Sequence, residues 1–182
     1  MHKNYFVTDT HFTHHNILIF KDNNGKLLRP FASIEEHDDL IIDNINKKVR
    51  IQDKLFILGD VVINRKAMPI LDRINTKKKI LIKGNHDIFK LKDYLPYFTD
   101  IRAYKIMPKH NLIFSHIPVH PNQFKGRFEL NIHGHSHHNI TKIKKFFINK
   151  PDLRYMNICP EIIGYAPIEL EEILEIKKSR GV

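Results

Sequence analysis

The sequence predicts a layered α/β fold, and three observations carry that expectation. Five short apolar runs, rich in β-branched and aromatic residues, have the length of buried strands. Helical spacing fills the gaps between the early runs, and strand-rich sequence follows later. Each run also stops at a cluster of Asp, Asn or His. Ligand sites of α/β sheets gather in this way, because loops converge beyond the carboxyl ends of rigid strands.

In chain order, the first run is Tyr5-Phe6-Val7, and Asp9-Thr10-His11 follows it. Residues 21–30, with Asn23-Asn24-Gly25 inside, read as a turn joining two extended pieces. A helix opens at Ser33, with Glu36 three residues on as a capping-box partner. Its apolar positions Ile34, Ile41, Ile45 and Val49 recur at helical spacing. The second run, 54–58, leads into Gly59-Asp60. A second helix is expected over 65–74, with Ala67, Ile70, Leu71 and Ile74 on one face and Pro69 in its first turn. The third run, 79–82, ends in Lys83-Gly84-Asn85-His86-Asp87. A third helix is expected next, with Asp87 as its cap or, in the other reading, as a residue that orients His86. Run 111–114 precedes Ser115-His116, and run 129–132 precedes His133-Gly134-His135-Ser136-His137-His138. With no internal repeat, low-complexity segment or Gly/Ser/Pro-rich linker, residues 1–182 are read as a single domain.

Composition narrows the classes. Cys159 is the only cysteine, so no intrachain disulfide forms. That fits a reducing, cytoplasmic setting, with Cys159 as a small buried residue. No apolar stretch approaches the ~20 residues of a membrane helix, and the polar start does not read as a signal peptide. A net charge of +10 favours anionic partners: phosphorylated substrates, nucleotides or nucleic acid. The lysines are spread along the chain, however, so charge alone does not select among them.

The clusters supply imidazole, carboxylate and amide donors without cysteine, a set for divalent transition metals rather than structural zinc. Their number exceeds what one ion needs. As an ordered ensemble, DxH, GD, GNHD, a lone strand-end His and GHxH resemble the calcineurin-like metallophosphoesterase superfamily. The pattern DTHFTHHNI, the triplet Arg29-Pro30-Phe31 and the tail Asn157…Tyr165-Ala166-Pro167-Ile168 are similar to its small bacterial and phage-type members. The resemblance implies a four-layer α/β/β/α sandwich of two mixed sheets. It implies that Asp9, His11 and His137 bind a first metal, that Asn85, His116 and His135 bind a second, and that Asp60 bridges both. His86 would stand beside the metals and act on the leaving-group oxygen. Manganese is the first expectation for the two ions, with iron, nickel, cobalt or zinc as alternatives.

The expected reaction is hydrolysis of a phosphodiester (a nucleotide, cyclic nucleotide or short nucleic acid) by in-line attack of a metal-bridging hydroxide. The chain lacks the second acidic residue of protein phosphatases after Gly59-Asp60 and their arginine after the Asn85-His86 motif. The stretch after residue 137 is too short for the capping domain of large repair nucleases. The alternatives are a monoesterase for nucleotides or small metabolites, a catalytically silent metal-binding scaffold, and a basic nucleic-acid binder.

Substrate contacts are expected at His14, Asn16 and Arg29 from the resemblance, a turn and a surface arginine being the other reading. If 133–137 is extended, His133 shares a face with His135 and His137 and supports a ligand or contacts phosphate, while His138 points away. The loop 117–128 places His120, Phe124, Lys125 and Arg127 just after a ligand, to stack on a base and hold a phosphate or simply to face solvent. The basic run Lys142–Lys145 before Phe146-Phe147 reads as a turn ahead of a core strand or as a nucleic-acid contact. His2, His37 and His110 are expected at the surface.

Overall fold

The structure is a computed structural model that describes residues 2–145 and 148–182. Phe146 and Phe147, expected to begin a core strand, lie outside the described residues. Each of the five apolar runs forms a strand, shifted by at most one residue at either end. These are β1 (Asn4–Val7), β2 (Lys54–Ile57), β3 (Lys79–Ile82), β6 (Leu112–Ser115) and β7 (Leu130–His133). Six further strands complete the set: β4 (Asp100–Arg102), β5 (Tyr104–Met107), β8 (Lys142–Lys145), β9 (Ile148–Pro151), β10 (Tyr155–Asn157) and β11 (Ile168–Glu169).

Two mixed sheets result. In the first, the order is β11-β1-β2-β3-β4, parallel except for β11. In the second it is β10-β7-β6-β5, parallel except for β5. β8 and β9 pair antiparallel as a separate two-stranded sheet, so the basic run Lys142–Lys145 is a strand rather than a turn.

Alternation along the strands sorts the core. Phe6, Phe56, Leu58, Ile80 and Ile82 leave one face of the first sheet and meet Leu112, Phe114, Leu130 and Ile132 of the second. Phe6 stacks on Phe56 and Phe114 at ring separations of 5.0 and 4.2 Å. Tyr5, Val7, Leu55, Ile57 and Leu81 leave the other face and pack under helix α1 (Ile34–Lys48), which contributes Ile41, Ile42 and Ile45. The Ser33 hydroxyl caps α1 by accepting the Glu36 N–H, while Glu36 reaches back to the Ala32 N–H. On the outer face of the second sheet, Ile113 and Tyr155 are covered by Phe124 and Phe128 of the 117–128 loop, which carries a short 3-10 turn. Helix α4 (Leu170–Arg180) sets Leu170 and Ile173 into the inter-sheet core.

Two helices differ from expectation. Residues Arg65–Arg73 wind as 3-10 rather than α, with Pro69 inside, whose missing N–H interrupts an α ladder. After Asp87 there is only a single turn, α2 (Leu91–Tyr94), which stops ahead of Pro96. A second single turn, α3 (Pro160–Ile163), follows β10. The turn over 21–30 forms as expected, with Lys21 bridged to Leu27 and the Gly25 φ at +81°.

Candidate metal centre

The clusters meet because the loops after β1, β2, β3, β6 and β7 leave the same end of two facing sheets. Pairing continues past the strand ends: the Asp9 N–H donates to Gly59 O, and the His11 N–H to Asp60 O. The Gly134 N–H likewise donates to His116 O. Five of the seven expected ligands, Asp9, His11, Asp60, His135 and His137, have φ between +45° and +65°. Non-glycine residues seldom sit there, and such strain concentrates at functional sites. The extended conformation expected for 133–137 is therefore absent, and the strand ends at His133.

Two groups of donors form. Asp9, His11 and His137 offer atoms within 4.8 Å of one another, and so do Asp60, His116 and His135. Between them lies Asp60 Oδ2, 3.8 Å from His11 Nε2 and 3.3 Å from His116 Nε2. Asn85 joins the second group, its Oδ1 2.9 Å from His116 Nε2.

Bonding around the site fixes which atoms are free. Asp9 Oδ2 accepts the Thr8 hydroxyl and the His135 N–H, leaving Oδ1 buried without a partner. Both ring nitrogens of His11 are buried and unpartnered as well. Such groups are rare in folded proteins, and a cation would answer Asp9 Oδ1 and one ring nitrogen of His11 together. Burial and the Arg29 charge push the His11 pKa well below its usual value, so its ring is neutral and carries a lone pair. His116 Nδ1 lies 2.7 Å from Leu58 O and must donate to it, which turns Nε2 towards Asn85 and Asp60. Three acceptors then face one point, a place for a proton or a metal ion. Burial opposes the proton there, but the hydrogen bond and charge of Asp60 raise the His116 pKa to about 8. Burial likewise disfavours the Asp60 carboxylate, yet the His116 contact holds it at about 2. The residues present thus fit divalent cations.

Two glycines let the carboxylates in. A Cβ on Gly134 would come within 3.0 Å of Thr8 Oγ1 and Asp9 Oδ2, and one on Gly84 would do the same to Asp60 Oδ1. This is the steric reason the donor motifs carry glycine beside their ligands.

A model of the family described as calcineurin-like phosphoesterase matches residues 3–168. The chain belongs to that family. Similar to this phosphoesterase-family chain is the uncharacterized protein MJ1445 of Methanocaldococcus jannaschii, 30% identical over 97% of this chain and 92% of that protein. A crystal structure of the protein of unknown function AQ665 from Aquifex aeolicus superposes with a TM-score of 0.70 at 26% identity, over 97% of this chain and all of that one. Pseudomonas putida nuclease MPE has a TM-score of 0.45 at 17% identity, over 81% and 67% of the two chains.

Other expected site residues fall in several places. His86 is exposed at the rim, its N–H donating to Asp60 Oδ1 and its ring 5.9 Å from that of His11. His14 flanks His11 at 5.6 Å, and Asn16 is exposed on the following turn. His120 and Arg127 are exposed, but Phe124 is buried under the second sheet, so no base stacks on it. His120 caps the 3-10 turn of that loop through Nδ1.

Four placements correct the sequence reading. Arg29 is 0% exposed and lies behind Asp9, so it is neither a surface residue nor open to substrate. His133 is fully buried against Tyr155, out of reach of a phosphate. His37, expected at the surface, is fully buried beside Arg29. Asp87 caps no helix; its carboxylate accepts the N–H groups of Asp60, Val61 and Gly84 and ties the second and third loops together.

Glu161 was missed altogether. It lies 3.0 Å from His137 Nδ1 and 2.8 Å from Arg29 Nε. Its sequence context, a short turn after the lone cysteine, carries no metal-ligand spacing that would have marked it. Asn157 was noticed only as part of the tail; its side chain donates to His137 O and Asn139 O and so holds the ligand loop.

Proposed function

We propose that this chain is a dinuclear-metal phosphoesterase that hydrolyses a phosphodiester, with manganese as the preferred ion. One observation carries the reading: a buried carboxylate oxygen, Asp60 Oδ2, stands between two groups of histidine and oxygen donors, and in the first of them Asp9 and His11 keep buried atoms without a protein partner. Asp9, His11, His137 and Asp60 would hold one ion. Asn85, His116, His135 and Asp60 would hold the other. Two divalent ions so placed, when bound, polarise the phosphoryl group and make a bound water acidic.

The chain's own residues do the rest. Leu58 O fixes the His116 tautomer, and the Thr8 hydroxyl with the His135 N–H fixes the Asp9 carboxylate. His86 is tethered through its N–H to Asp60 Oδ1, and its exposed ring stands above His11. From there it donates a proton to the departing oxygen of the ester. His14 lines the same rim. A cavity of about 350 Å³ beside Asn85 and His116, walled by Lys83, Tyr104, Ile117 and Val119, has room for an organic group attached to the phosphate. That room supports a diester, and Lys83 adds a positive charge for its phosphate. A buried free thiol at Cys159 supports a reducing, cytoplasmic setting.

The test is hydrolysis of a chromogenic phosphodiester and its monoester counterpart by metal-stripped protein with Mn²⁺ restored. Diester turnover is expected, lowered about 100-fold or more in His86→Ala with two ions still bound. Preference for the monoester would replace the diesterase assignment. Absence of turnover on both esters with two ions bound would leave a binding scaffold instead.

A further inference from the structure

Behind the first donor group runs a row of buried charges that the reaction above does not use. Arg29 Nη2 donates to Asp9 O at 2.7 Å and Nη1 to Thr10 O at 3.3 Å. Nη1 also lies 3.0 Å from His37 Nε2, while His37 Nδ1 lies 2.8 Å from Asp38 Oδ1. A guanidinium only donates, so His37 accepts on Nε2 and carries its proton on Nδ1. At the other end, Arg29 Nε donates to Glu161 Oε1, the oxygen that also meets His137 Nδ1. The side chains of Arg29 and Glu161 are 0% and 5% exposed.

We propose that Glu161, locked in place by Arg29, is the positioning residue that sets the tautomer and aim of His137. The idea rests on the reading of His137 as a ligand. Glu161 accepts from His137 Nδ1–H, which leaves the Nε2 lone pair for the ion held with Asp9 and His11. Arg29 has a second effect. His137, Cys159 and Glu161 also lie close enough to hold a cation by themselves. The guanidinium on Glu161 already neutralises that carboxylate and keeps the histidine for Asp9. By gripping the Asp9 and Thr10 carbonyls as well, Arg29 couples the loop after β1 to the turn after β10. A buried ion pair adds little net stability over apolar side chains, so its contribution here is placement. Carboxylate–histidine–metal chains act this way generally.

The first experiment is nitrogen NMR of the His137 ring in metal-free wild-type protein, at a pH that leaves the ring neutral. The Nδ1–H form is expected; a dominant Nε2–H form would overturn the proposal whether or not any variant folds. Calorimetric titration with Mn²⁺ then compares wild type, Glu161→Gln, His137→Ala and the double change Arg29→Met/Glu161→Met. In Glu161→Gln, the dissociation constant of one ion is expected to rise about 10–100-fold while the other stays unchanged. The double variant leaves no charge unpaired, so it is expected to fold, as judged by circular dichroism, and to bind that ion as weakly. Wild-type affinity for both ions in either variant would sink the Glu161 assignment. Wild-type affinity in His137→Ala would instead sink the ligand reading on which it rests.

Discussion

Around Asp9 the donors stand apart. His11 Nε2 is 3.8 Å from Asp9 Oδ1 and 3.8 Å from Asp60 Oδ2, all three groups are buried, and Arg29 braces the loop from behind. Around His116 they have closed on one another, with Asn85 Oδ1 at 2.9 Å and Asp60 Oδ2 at 3.3 Å, and both Asn85 and His135 are exposed. The first half is thus held open by its scaffold, whereas the second has drawn together. A rigid, pre-opened site needs no rearrangement on binding, and a collapsed one does. The second ion is therefore expected to bind more weakly and to leave first.

The largest effect should come from the oxygen that both halves share. Asp60→Asn is expected to lose both ions and to lower turnover about 1,000-fold or more, equivalent to about 4 kcal/mol of barrier. Calorimetry reading one tight ion in that variant would show that the halves are independent. Next come the glycines. Gly134→Ala drives a methyl into Asp9 and Thr8, and Gly84→Ala drives one into Asp60. Each should cost about 1–3 kcal/mol of stability in thermal unfolding. Gly134→Ala should abolish binding of the first ion, whereas Gly84→Ala should affect both. Graded chelation of the two-ion protein is a milder probe. It should release one ion ahead of the other, and the species left should still need His137; simultaneous release would erase the distinction between the halves.

The smallest effect separates the scaffold from the metals in acid. Asp53 accepts the N–H groups of Lys3 and Arg50 and the Arg50 guanidinium, and that guanidinium, against some burial, lowers its pKa from 3.8 to about 2. A lowered carboxylate pKa adds stability above about 4 that is lost as pH falls towards 2. In metal-stripped protein, Asp53→Asn should flatten the melting-temperature decline over that interval. An unchanged decline would assign the acid response to the ligand cluster.

Much of this was legible because apolar runs and donor clusters abut. Ile57-Leu58-Gly59-Asp60 and Ile82-Lys83-Gly84-Asn85 each write a strand, its end and a donor in four letters. The braces were not legible. Arg29 pairs with Glu161 across 132 positions, and nothing local tells a buried arginine from a surface one. His37 is expected at the surface from sequence, yet its neighbour is Arg29 rather than water. His135 and His137 were expected on an extended strand, but their left-handed backbone re-aims them, a choice made by the loops they must meet. The edge strands β4, β10 and β11 are three residues or fewer, too short for alternation to show.

Each half of the centre also draws donors from both sheets, and the His135 N–H reaches Asp9 across 126 positions of chain. Such contacts close only after the intervening chain has been made and docked. A chain still emerging from the ribosome ahead of His137 therefore lacks part of the proposed centre. Loading of the proposed centre would wait on the whole run from Asp9 to His137, and ion uptake would report that the two sheets have docked.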